Sequence, residues 1–127
     1  MGEQAKILIL EDDDLVAWSL REMLNLAGYE VTGIATTVND ALFMTQDRRP
    51  DLAIVDVRLP GSRDGIEGAE LLRQQFGIPV IFLTGGIDQM TALRAADVEG
   101  SGYLLKPVRG EQLIEAIRVA MLQDQPN

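Results

Sequence analysis

The chain has 127 residues, 46% of them apolar and 24% charged, the composition of a globular protein large enough to close one hydrophobic core. With neither cysteine nor histidine it has no disulfide framework, no thiolate metal site and no ordinary zinc chemistry. Twenty acidic residues against eleven basic ones leave a net charge of −9, which repels phosphate backbones and argues against direct nucleic-acid binding.

The first stretch, MGEQAKILIL, lacks the basic region, long apolar run and cleavage site of a signal peptide, and Lys6 stands where a myristoylation signal requires Ser or Thr. No apolar run approaches the roughly 20 residues that cross a bilayer. A soluble, cytoplasmic chain without membrane contact is expected.

Apolar residues over 5–10 predict a first strand, followed at once by Glu11, Asp12, Asp13 and Asp14. Four adjacent carboxylates repel one another unless a cation compensates. Asp13 or Asp14 suits the cap of a first helix over 15–27, where Val16, Leu20, Met23, Leu24 and Ala27 share a face and Gly28 is a stop signal. Trp18 lies on the opposite side of that wheel and is expected to be exposed.

A second strand is predicted over 31–35, a second helix over 39–46 and a third strand over 52–55, with Asp56 at its end. The third helix, 66–76, stops at Gly77 and Pro79, and the fourth strand, 80–83, leads into Thr84. A weaker helix over 88–98 precedes Gly100 and Gly102. The fifth strand, 103–105, ends at Lys106 and Pro107; a last helix over 112–122 carries Leu113, Ile114, Ile117, Ala120 and Met121 on one face; and QDQPN reads as a frayed tail.

The strand runs are rich in Val, Ile and Leu with little alternation, as parallel strands covered on both faces require. Alternating with helices, they predict one doubly wound α/β domain over 1–127, its core about 5–122. Ligands of such sheets sit beyond the carboxyl ends of the strands. That edge collects Glu11, Asp12, Asp56, Thr84 and Lys106. Neighbouring carboxylates without a cation between them form a hard oxygen site, suited to Mg²⁺ with several waters retained. Singly, each residue has an ordinary explanation as a cap, turn or strand residue; only the set is informative.

With that set in place, the sequence resembles the receiver domains of two-component response regulators over essentially its whole length. The matching stretches, in order, are ILILEDD, AIVDVRLPGSRDG, IFLTG and YLLKPV. The resemblance implies a flavodoxin-like (βα)5 fold in three layers with strand order 2-1-3-4-5. It implies that Asp56 is the phosphoacceptor. Asp12, Asp56 and the backbone carbonyl of Arg58 would ligate Mg²⁺ or Mn²⁺, with Glu11 contributing directly or through water. Lys106 would pair with the phosphoryl oxygens, Thr84 would hydrogen-bond to them, Tyr103 would be the aromatic switch, and a cis peptide would precede Pro107. The implied donor is a histidine kinase or histidine phosphotransfer protein, for which Trp18 is a candidate docking residue. A downstream protein, an output domain or a second copy of the chain would read the surface of the fourth helix, fifth strand and fifth helix.

The chain departs from the commonest family pattern in a slightly longer, glycine-rich loop after Asp56, and in Arg58 and Gly86, at positions that tune phosphoryl lifetime in the family. Activity beyond slow turnover of its own acyl phosphate is not expected. An aspartate-nucleophile phosphohydrolase on a similar fold requires a second acid two residues after the nucleophile, where Arg58 stands. A flavin or nucleotide binder requires a Gly/Ser/Thr-rich loop where this chain has EDDD. Within the family, the alternative is a phosphorylation-independent interaction module.

Overall fold

A computed structural model describes residues 4–59, 61, 63–86 and 102–123. The elements run β1 (Lys6–Leu10), α1 (Asp14–Leu26), β2 (Glu30–Ala35), α2 (Val38–Asp47), β3 (Leu52–Asp56), α3 (Gly65–Phe76), β4 (Val80–Thr84), β5 (Gly102–Leu105) and α4 (Gly110–Gln123). The helix expected over 88–98 lies outside the described residues, as does the tail beyond Gln123, so α4 is the last of the expected helices.

The five strands form one parallel sheet in the order β2-β1-β3-β4-β5. Successive side chains of a strand point to opposite faces, and in β1, β3 and β4 both faces are covered. Ile7, Ile9, Leu52, Ile54, Ile81 and Leu83 pack against α1 and α4. Leu8, Leu10, Ala53, Val55, Val80 and Phe82 pack against α2 and α3. Each of these side chains except Ala53 contributes about 1.5–3 kcal/mol by burial, and burial on both faces explains why these strands show no polar alternation.

Strand limits differ from the sequence expectation by at most one residue. Two of those differences matter: Asp56 and Thr84 are the last residues of β3 and β4, in register with Leu83 and Leu105. Their backbones are therefore fixed by the ladder while their side chains reach the edge.

Local chemistry sets the helix ends. Asp13 caps α1, its carboxylate accepting from the amides of Leu15 and Val16. Asp64 and Glu67 form a reciprocal capping box at the start of α3, and Gly77, at φ 70°, closes that helix in a conformation that disfavours other residues. The expected buried face of α1 needs one correction. Ala27 follows the helix and is exposed, whereas Ala17 is buried beside Leu20 and Leu24, so the wheel is rotated toward Ala17. Among the described residues no helix is long and apolar enough to cross a membrane.

Candidate functional site

Four of the five strands deliver a polar side chain to the carboxyl edge of the sheet. Glu11 directly follows β1 and is only 1% exposed. Asp56 and Thr84 end β3 and β4 and are also buried, whereas Asp12 is exposed at the mouth. Lys106 follows β5, its amide donating to the Thr84 carbonyl at 2.8 Å, and the peptide bond between Lys106 and Pro107 is cis.

The Lys106 ammonium bridges the two buried acids, lying 3.0 Å from Asp56 Oδ2 and 2.9 Å from Glu11 Oε1. The expectation of carboxylates without a cation between them is thus corrected: at 127 residues the chain is long enough to return a lysine from beyond β5 into their midst. Burial pushes the ammonium down, but its bonds to Glu11 and Asp56 outweigh this and hold its pKa above the ordinary lysine value. The Glu11 carboxyl is pushed up to about 7, first by burial and then by the adjacent Asp56, against the opposing pull of the Asp13 amide and Lys106.

One lysine does not exhaust the acids. Carboxylate oxygens of Glu11, Asp12 and Asp56 lie within 4.8 Å of one another. Glu11 Oε2 accepts from the Asp13 amide at 3.0 Å, but Oε1 meets the ammonium outside hydrogen-bonding angles and has no aligned donor among the described residues. Three oxygen donors of one sign, one of them buried and incompletely satisfied, fit a hard divalent cation.

Other expected residues are less directly engaged. Arg58 is exposed, and its amide donates to Asp56 Oδ1 at 3.0 Å, orienting that carboxylate from its own loop. The Thr84 hydroxyl is committed to Gly86, donating to its carbonyl at 2.7 Å and accepting from its amide at 3.3 Å. Tyr103 lies on β5 opposite Phe82 and is 54% exposed, and Trp18 is equally exposed on α1. A groove of about 450 Å³ runs from Lys106 and Pro107 along Leu15, Ser19 and Met23 of α1. The amide ties of Asp13 and Arg58 were not anticipated; acidic side chains commonly accept from backbone two residues away, which was the available signal.

The model of the response regulator receiver domain family matches residues 7–118, nearly all of the chain. The chain belongs to that family. This receiver domain is 36% identical over 116 residues to the transcriptional regulatory protein PdtaR of Mycobacterium tuberculosis, covering 91% of this chain and 56% of that protein. It is 38% identical over 116 residues to the transcriptional regulatory protein DesR of Bacillus subtilis, covering 91% and 57%. The chain thus spans little more than half the length of these relatives. Among solved structures, the signal receiver domain of a modulated diguanylate cyclase from Desulfovibrio desulfuricans G20 superposes with a TM-score of 0.90 at 36% identity, covering 96% of this chain and 97% of that one. The flavodoxin-like receiver fold and a place in two-component signalling follow.

Proposed function

We propose that the chain is a single receiver domain, folded over about 5–122, that acts in the cytoplasm as a phosphorylation-dependent switch. The carrying observation is the Lys106 ammonium, held between Asp56 and Glu11 at 3.0 and 2.9 Å beside an exposed Asp12. Asp56 is the nucleophile, receiving the phosphoryl group from a phosphohistidine on a kinase or phosphotransfer protein. Glu11, Asp12, Asp56 and the Arg58 carbonyl would hold Mg²⁺ or Mn²⁺, which supplies charge neutralisation for the transferring oxygens. Lys106 exchanges its bond to Asp56 for the new phosphoryl oxygens without leaving the site. Thr84 gives up Gly86 to hydrogen-bond to them, and Tyr103, now exposed, follows it inward. The new charge thereby biases two arrangements of the β5–α4 surface, which a target, an output domain or a second copy reads.

Docking of the donor is supported by an exposed stripe on α1, where Leu15, Trp18 and Leu26 lie along one side next to the groove that ends at Lys106. The reading is tested by amide NMR with Mg²⁺, before and after addition of beryllium fluoride as a phosphoryl mimic, using Asp56→Asn as control. Shifts spreading from Asp56 through Thr84 to Tyr103 in the wild type alone are expected. A response to Mg²⁺ with none to beryllium fluoride would instead favour the phosphorylation-independent interaction module.

A further inference from the structure

We propose that Gly65 is a positioning residue for the Asp56 carboxylate, because the first turn of α3 lies against the peptide of Asp56 too closely for any side chain. A Cβ at position 65 would stand 1.9 Å from the Asp56 carbonyl oxygen, 2.8 Å from its carbonyl carbon and 3.0 Å from Val57 Cα. All three are backbone atoms, so no rotamer change relieves the overlap. Ordinary contact between such atoms begins near 3.5 Å, so the helix start and the strand end would have to separate by about 1.5 Å.

The contact is also bonded. The Gly65 amide donates to the Val57 carbonyl at 3.0 Å, while the Val57 amide donates to Leu83 of β4 at 3.0 Å. The backbone leaving Asp56 is thereby clamped between α3 and the neighbouring strand. From that clamped peptide the carboxylate reaches Lys106 Nζ and the Arg58 amide, each at 3.0 Å. The body of α3 is fixed independently by the buried Ile66, Ala69 and Leu72 and by its capping box. A methyl group at 65 therefore acts on the end of β3, where the ladder gives way to the Val57–Leu83 bond, and moves the carboxylate with it. Gly68, one turn along, provides a matched control. A Cβ there would meet Val38 Cγ2 at 2.9 Å and Leu10 Cδ2 at 3.6 Å, side chains of the core and not the backbone of Asp56.

The catalytic consequence rests on the reading of Asp56 as phosphoacceptor; the geometric consequence does not. The test compares the full chain as wild type, Gly65→Ala, Gly68→Ala and Asp56→Asn. Phosphorylation is measured with Mg²⁺ and acetyl phosphate, and the position of the Asp56 carboxylate is read from the Arg58 amide resonance. Gly65→Ala is expected to fold, to shift the Arg58 amide and to lower the phosphorylation rate about a hundredfold, the scale of a 1 Å misplacement. Gly68→Ala is expected to leave both unchanged, whatever it does to stability. An unmoved Arg58 amide in Gly65→Ala, or equal rate losses in the two alanine variants, overturns the inference. So does a Gly65→Ala chain that fails to fold even with trimethylamine N-oxide, since the glycine would then serve folding alone. If the wild type takes no phosphoryl group, the proposed function fails, and the Arg58 amide still decides the role of Gly65.

Discussion

The two ends of the sheet handle charge in opposite ways. At the amino ends of the strands polar groups are matched and largely solvated: the Lys6 amide donates to Asp51 at 2.8 Å, Arg48 pairs with Glu30, and Arg49 donates to the Phe76 carbonyl at 2.7 Å. At the carboxyl ends, Glu11 and Asp56 are buried with a single ammonium between them and a third acid alongside. The first end is arranged for stability. At the second, folding holds an excess of negative charge in place, the condition that leaves a site able to take up a cation or exchange one anion for another.

Removing the ammonium should break this contrast most severely. Lys106→Met leaves two buried carboxylates uncompensated, at a cost of about 3 kcal/mol near neutral pH. The raised lysine pKa gives the sign: its contribution is complete below the unfolded value of 10.5 and is lost as pH rises through the higher folded value. Urea titrations at pH 7 and pH 5 provide the check. The loss should shrink at pH 5, where Glu11, its pKa pushed up to about 7, is protonated; an equal loss at both would mean that Lys106 contributes only packing.

Glu11 gives the next largest effect, with the sign opposite to that of an ordinary salt-bridged acid. Its folded pKa of about 7 exceeds the ordinary glutamate value of 4.5, so the folded state binds the extra proton between these limits. Its contribution is present below pH 4.5 and lost as pH rises through 7, a decline of roughly 1–3 kcal/mol. Glu11→Gln should remove that decline, measured as the difference between wild-type and variant stability across this window. Added Mg²⁺ should stabilise the wild type more at pH 8 than at pH 5; the reverse order would show that the ionised acids are not the ligands.

How much of this was legible beforehand depends on range. Runs such as ILIL and AIVD are local and hydrophobic, and they placed the strands to within a residue; an acidic cap at Asp13 or Asp14 was readable because capping is also local, and the structure selects Asp13. Glu11, Asp56 and Lys106 could be assigned to one edge because parallel topology brings strand ends together. Which groups touch could not be read. The bridge joins Lys106 to Asp56, 50 positions away in sequence, and the Thr84 hydroxyl turned toward Gly86 instead of the acids. Nor does anything in DGIEG reveal that the first glycine meets strand backbone and the second meets core side chains, because both distances arise only when α3 docks.

The comparison is sharpened by a buried polar group away from the site. Thr45 on α2 is 1% exposed, and its hydroxyl has no hydrogen-bond partner among the described residues. If incompletely satisfied polar atoms persist at the carboxyl edge because of function, this one, which has no chemistry to perform, is a removable defect. Thr45→Val keeps the branched shape and should raise stability by about 1 kcal/mol, seen as a higher thermal midpoint with unchanged beryllium fluoride binding. A loss of stability would indicate that the hydroxyl is satisfied in solution.

The smallest effect is expected at the matched end. Arg48 and Glu30 form an ion pair whose side chains are 47% and 36% exposed, so water already solvates both charges in the unpaired state. Arg48→Gln should therefore change stability by less than about 0.5 kcal/mol, and 1 M salt should erase even that. Salt should barely alter the cost of Lys106→Met, because the charges it leaves behind are buried beyond the reach of mobile ions. Equal salt sensitivity at the two positions would mean that the carboxyl edge is wetter than its burial implies, and the contrast between the two ends would collapse into a difference of spacing alone.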